Sequence, residues 1–194
     1  METGNIIAVY NDDKRIALNE FDALMRKTND YMNKIATLSD RFRGCDAKQL
    51  EKETLAAIRE QCTNTSFNPS DIELVSGQRF PDIVAGQHFG VEVKSTKENK
   101  WVSTGSSIVE STRVDDVGSI YMLFGKLGGI PAEFRCKPYQ NCLYDIAVTH
   151  SPRYLIDMNV SPENTIFSKM GVDYDEFIKR FAVSTKEPKQ GGTP

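Results

Sequence analysis

The segment Phe80-Pro81-Asp82-Ile83-Val84-Ala85-Gly86-Gln87-His88-Phe89-Gly90-Val91-Glu92-Val93-Lys94-Ser95-Thr96 holds two short apolar runs, 80–85 and 89–93, on either side of Gly86-Gln87-His88. A three-residue connection containing glycine predicts a β-hairpin. Centred on Gln87, the hairpin sets Asp82 opposite Glu92, with Cβ atoms about 4.5–5.5 Å apart. Side chains alternate along a strand, so Lys94 shares the face of Glu92. Ile83, Val91 and Val93 point the other way and suit a core. One face is charged and the other apolar.

Two opposed carboxylates repel unless something neutralises them. A divalent cation does so, and hard Mg²⁺ prefers carboxylate oxygen. A neighbouring lysine can polarise a nucleophile and offset phosphate charge, so the layout fits metal-assisted phosphodiester hydrolysis. The plain alternative is a surface hairpin with an ordinary Glu-x-Lys. That tripeptide alone says little. The informative pattern is Pro-Asp, nine residues, then Glu-Val-Lys, within alternating strands.

At Pro81-Asp82 and Glu92-Val93-Lys94 the sequence resembles the PD-(D/E)XK nuclease superfamily, most closely the nuclease domain of a type II restriction endonuclease. The resemblance implies an α/β fold with a restriction-endonuclease-like core, a mixed central β-sheet flanked by α-helices. It implies a Mg²⁺-dependent endonuclease acting on double-stranded DNA, with Mn²⁺ able to substitute. Asp82, Glu92 and the Val93 carbonyl would hold the metal, and Lys94 would orient the attacking water. The ends would be 5′-phosphate and 3′-hydroxyl, and a type II enzyme would act as a homodimer. Many members carry a further acid on a preceding helix, for which Glu51 is the candidate and Glu53 the substitute. A structure-specific repair or recombination nuclease of the same superfamily, or a DNA-binding module without turnover, are the alternatives.

A chain of 194 residues, 39% hydrophobic and 26% charged, is long enough for one domain with a sizeable core. The expected division is a nuclease domain over 1–183, with N-terminal helices at 12–62 and a catalytic core at 71–182, then a disordered tail or linker at 184–194. No stretch reads as a membrane span or signal peptide, which predicts a cytoplasmic protein. The cysteines Cys45, Cys62, Cys136 and Cys142 are scattered and read as reduced thiols. Cys136, Cys142 and His150 match no standard zinc spacing. The net charge of −3 does not favour nucleic-acid binding. A metal site supplies its own local positive charge, however. No P-loop or dinucleotide glycine fingerprint is present, so no nucleotide cofactor is expected.

Apolar residues at helical spacing predict a long helix over 12–43, as core or dimer surface. Asp46 with Gln49 predicts the start of a second helix over 47–62. Glu51 falls on its apolar face, one turn before Leu55. Residues 72–75 read as a short strand. Arg79 precedes Pro-Asp and is either a phosphate contact or a plain surface residue. Residues 95–107 read as a flexible polar loop. Ser95, Lys97, Lys100 and Trp101 on it are candidate DNA contacts. Residues 108–117 read as a short helix or more of the same loop, with Arg113 as a candidate for guanine or phosphate. Residues 120–124 predict a central strand, and 142–148 and 153–158 two more. Ser161-Pro162 predicts a helix start, Gly171 its end, and Asp173 with Glu176 the start of a last helix.

Overall fold

The computed structural model describes residues 4–186, with side chains over 17–180. The chain begins with α1 (Gly4–Leu38) and α2 (Ala47–Gln61). Strands follow: β1 (Ile72–Leu74), β2 (Ile83–Ala85), β3 (Phe89–Thr96), β4 (Val102–Ser107), β5 (Ser119–Lys126), β6 (Glu133–Pro138), β7 (Leu143–Ala147) and β8 (Arg153–Asp157). Two helices close it, α3 (Ile166–Met170) and α4 (Tyr174–Lys186).

The strands form two sheets. One is mixed and five-stranded, in the order β1-β2-β3-β5-β6; the other is antiparallel, in the order β4-β8-β7. β3 and β5 run parallel at the centre of the first sheet, Glu92 level with Met122 and Lys94 with Phe124. The intervening chain leaves that sheet through β4 and returns along a strap.

Alternation sorts β3 and β5 onto two cores. Phe89, Val91, Val93, Tyr121 and Leu123 meet α1 and α2 through Phe21, Leu24, Leu50 and Ile58. Ile120, Met122 and Phe124 meet the second sheet, α3 and α4 through Tyr139, Tyr154, Ile156 and Phe167. Full burial of each large apolar side chain contributes about 1.5–3 kcal/mol. The mixed sheet is thus flanked by helices on one face. On the other, the small sheet and the last helices share one core with it.

The α1 stripe is core: Phe21, Leu24, Met25 and Met32 are all fully buried. The helix stops before the predicted residue 43. Residues 41–44 form a turn, with Arg43 N–H donating to the Asp40 carbonyl, and Phe42 still reaches Phe134 at 4.8 Å. Asp46 caps α2 as expected, accepting from Gln49 N–H at 2.8 Å. The buried face of α2 runs through Leu50, Thr54, Ala57 and Ile58, with Glu51 and Leu55 half-buried beside it.

The flexible loop expected at 95–107 is mostly strand: Ser95 and Thr96 extend β3, and 102–107 form β4. The polar run Ser-Thr-Gly-Ser-Ser is tolerated because β4 is an edge strand held by β8. β6 was not expected at all. Its alternation is short, with Phe134 buried between exposed Glu133 and half-buried Arg135. Ser161-Pro162 opens a 3-10 turn, and α3 starts later, at Thr165, whose hydroxyl accepts from Ser168 N–H. Gly171 ends α3 at φ 64°, as its position predicts. Asp173 accepts from Glu176 N–H at 3.1 Å at the start of α4, which runs to Lys186. Ser184–Lys186 are therefore helical where a disordered tail was expected; the rest of that tail, 187–194, lies outside the described residues. Among the described residues, no helix is long and apolar enough to cross a membrane.

Candidate active site

The site is built on the β2–β3 hairpin. Ile83 pairs with Val91 and Ala85 with Phe89, so the turn centres on Gln87 as the sequence predicts. Gly86 starts that turn at φ 61°, a left-handed conformation glycine adopts without strain. Continued by one step, the same register sets Asp82 against Glu92. β2 ends at Ile83, and the Asp82 side chain takes over its hydrogen bonding: Val93 N–H donates to Asp82 Oδ2 at 2.8 Å. The Asp82 carbonyl accepts from Val75 N–H at 2.8 Å, which pins its backbone. Within a strand, N–H and C=O of one residue point the same way. The Val93 carbonyl therefore faces the Asp82 side too.

Gly90 makes the approach possible. A Cβ there would lie 2.4 Å from Pro81 Cγ and 3.0 Å from Val117 Cγ1. Pro81 lies over that gap, which brings Asp82 beside Glu92. A strap holds the same segment from the far side: Phe80 N–H donates to the Thr112 carbonyl at 3.1 Å, and Val114 N–H to the Phe80 carbonyl at 2.7 Å.

Glu92 is 4% exposed. Lys94 Nζ donates to Glu92 Oε1 at 2.7 Å. Burial pushes the Glu92 carboxyl up to about 7, against the pull of Lys94. The negative charge of Asp82 adds to the rise. Burial works to lower the Lys94 ammonium, yet Glu92, Asp82 and Glu51 hold it above its ordinary value. The Glu51 carboxyl is raised by burial and by Asp82, with Lys94 and Lys48 opposing. With all four ionised, Glu51, Asp82, Glu92 and Lys94 carry a net charge of −2, so the cluster holds protons tightly and favours any added cation.

The two candidate helix acids separate cleanly. Glu51 shares the field of Asp82 and Lys94, whereas Glu53 is paired with Arg41 at 2.6 Å. Among the described residues no three His, Cys, Asp or Glu side chains are grouped closely enough to hold a metal. Asp82 and Glu92 come together as a pair, and Glu51 joins through its field rather than as a third ligand in place. A hard cation such as Mg²⁺, were one bound here, would find two carboxylates and the Val93 carbonyl as oxygen donors and would need water for its further positions. These residues fit such an ion.

The expected DNA contacts fare differently. Arg79 and Lys97 are exposed, and Ser95 is half-buried on β3. Lys100 is paired with Glu98 at 2.6 Å. Trp101 is buried rather than presented on a loop: its ring meets Phe124 at 5.9 Å, with Arg135 at 4.2 Å and Lys126 at 5.0 Å over it. Arg113 is a clamp. Its Nε donates to the Val117 carbonyl at 3.0 Å and Nη2 to the Gly118 carbonyl at 2.9 Å. Its Nη1 donates to Glu110 Oε2 at 2.7 Å and to Tyr174 Oη at 3.1 Å, so little of the fork is left for a base. Segment 108–117 is thus neither helix nor free loop.

The Glu110–Arg113–Tyr174 cluster has no local signature, since its members come from the strap and α4. Tyr174 Oη donates to Glu110 Oε1 at 2.7 Å, completing it. Burial raises the Glu110 carboxyl, and Arg113 and Tyr174 pull it back. A cavity of about 570 Å³ lies at the opposite end of β3 and β5, lined by His88, Phe89, Val117 and Ser119 with Asp116 and Asp175, and takes in none of Glu51, Asp82, Glu92 and Lys94. All four cysteines are free thiols. Compared with protein-family models and with curated proteins, the sequence finds no match.

Proposed function

We propose that this chain is a Mg²⁺-dependent DNA endonuclease of the PD-(D/E)XK type, with a restriction-endonuclease-like core. One observation carries the reading: the hairpin register sets Asp82 against buried Glu92 while Lys94 lies 2.7 Å from the same Glu92 carboxylate. Opposed acids with an adjacent lysine make a poor surface hairpin, because the cluster is charged, partly desolvated and electrostatically unfavourable on its own. The arrangement becomes favourable once a divalent cation joins it.

Asp82, Glu92 and the Val93 carbonyl would hold Mg²⁺, which supplies Lewis acidity toward the scissile phosphate and an acidified water. Mn²⁺ has the same preference for oxygen and is expected to substitute. Asp82 is oriented for this by Val93 N–H, and Glu92 by its burial on β3. Lys94 stands two residues beyond Glu92 on the same face, placed to hydrogen-bond a phosphate oxygen and the attacking water. Glu92 first, then Asp82 and Glu51, keep the Lys94 ammonium charged. Hydrolysis on these lines leaves 5′-phosphate ends. Action as a homodimer on a symmetric duplex site is the type II form of the proposal.

A second reading has its own support. Trp101 and Arg113, expected to contact DNA, are both committed to packing and internal hydrogen bonds. That favours a repair or recombination nuclease, which recognises DNA structure rather than a short sequence. The test incubates plasmid, phage and branched DNA with the protein in Mg²⁺ or EDTA, beside Asp82→Ala. Mg²⁺-dependent fragments from wild type alone support the proposal. Discrete bands from plain duplex favour the restriction form, and selective cutting of branches favours the second. DNA left intact by wild type across the whole panel overturns both.

A further inference from the structure

Resting on the nuclease reading, we infer that Ile130, with Pro131, is an apolar wedge that enters the stacked bases of duplex DNA near the cut. Ile130 is 77% exposed, at the tip of the β5–β6 turn, and Pro131 beside it is exposed too. An exposed isoleucine alone means little. Its place and its bracing give it meaning.

The place is the catalytic end of the sheet. Lys94 is level with Phe124, and Ile130 follows Phe124 by six residues. At about 3.3 Å per residue, the tip lies within about 20 Å of the level of Lys94 along the strand axis. That is within about six base steps of a phosphate held there. By contrast Val148, 88% exposed, sits in the β7–β8 turn at the other end, since β8 reaches the catalytic end only at Asp157, opposite Val102.

The tip is braced. A Cβ on Gly128 would fall 2.2 Å from the Lys97 carbonyl oxygen, so the two turns interlock backbone to backbone. Leu127 N–H donates to the Thr96 carbonyl at 2.8 Å, and Lys126 pairs with Glu133 at 2.7 Å across the base of the turn. Trp101 lies beneath, under Arg135 and Lys126. A wedge must resist the cost of unstacking, a few kcal/mol per step, and a braced hairpin does so better than a free loop. On the interlocked turn Lys97 is exposed for a phosphate, while the acids beside the tip, Glu98 and Glu133, are paired with Lys100 and Lys126; Lys48 and Lys52 are exposed on α2. Leu50 of that helix packs 3.3 Å from the Cβ position of Gly125, at the root of the tip.

The test uses the full chain and a duplex spanning a mapped cut, with 2-aminopurine placed at successive steps within about six base pairs of it. Wild type should raise the fluorescence at one step before cutting. Ile130→Ala should lose that rise and slow single-turnover cleavage about tenfold, about the worth of one buried aliphatic side chain. Its unfolding midpoint and Mg²⁺ affinity should stay at wild-type values, and Ile130→Leu should restore both lost signals. Wild-type unstacking and cutting by Ile130→Ala overturns the wedge while the nuclease reading stands. A change confined to self-association, read by sedimentation, also overturns it and makes the tip a contact between copies. Failure of wild type to cut any DNA removes the nuclease reading itself.

Discussion

Replacing Glu92 with glutamine should stabilise the metal-free protein, and more so as pH rises. The carboxyl is held at about 7 against an ordinary 4.5. Its folded-state value is raised, so the folded protein keeps the proton that the unfolded chain releases above 4.5. The cost of ionising it in place is absent at low pH, grows between the two values and is complete above about 7. At about 1.4 kcal/mol per pH unit the full cost is about 3 kcal/mol, of which about 2–3 kcal/mol accrues between pH 5 and pH 8. Glutamine avoids that cost but gives up the 2.7 Å ion pair with Lys94. Lys94 still has Asp82 and Glu51 in its field, so the offset is partial. The diagnostic is therefore the change with pH rather than the gain at one pH. Urea unfolding in EDTA at both pH values measures it. Glutamine should improve its standing against wild type by about 2 kcal/mol between pH 5 and pH 8. No change, or a change of opposite sign, would show Glu92 to be an ordinary paired carboxylate and would refute the reasoning.

Gly90→Ala puts a methyl group against Pro81 and Val117. It should cost about 1–3 kcal/mol by overpacking and weaken Mg²⁺ binding through displacement of Asp82, read by urea unfolding and calorimetry. Glu110→Ala leaves the Arg113 guanidinium buried without its carboxylate and should destabilise by about 3–5 kcal/mol. A loss of DNA binding without loss of stability in that variant would contradict the clamp. Glu51→Gln should slow cleavage severalfold, whereas Glu53→Gln, which removes only the partner of Arg41, should leave cleavage within about twofold of wild type, since Glu53 is engaged by Arg41 while Glu51 acts on Lys94. Equal effects in the two would remove Glu51 from the site.

The hairpin was legible because its logic is local. A glycine turn, two apolar runs and a period of two fix which residues oppose, and the observed pairing of Ile83 with Val91 follows that count. The α1 stripe and the cap at Asp46 are local too. What escaped was set by distant partners. β4 reads as loop because its polar residues become a strand only when β8 pairs with it. Trp101 and Arg113 look like DNA contacts until Phe124, Arg135, Glu110 and Tyr174 arrive from elsewhere in the chain to occupy them. The choice between Glu51 and Glu53 likewise needed Arg41, because nothing in the α2 sequence says which acid an arginine from the preceding turn will take.

The most direct measurement of the central claim is single-turnover DNA cleavage by Lys94→Ala, with Mg²⁺ binding to the same protein followed by calorimetry. Lys94 contacts Glu92 but is not a metal ligand in this account. Wild type should bind Mg²⁺ and leave 5′-phosphate ends. The variant should still bind the ion and cut at least about a hundredfold more slowly. Wild type that binds no Mg²⁺, or Lys94→Ala that cuts at the wild-type rate, would contradict it.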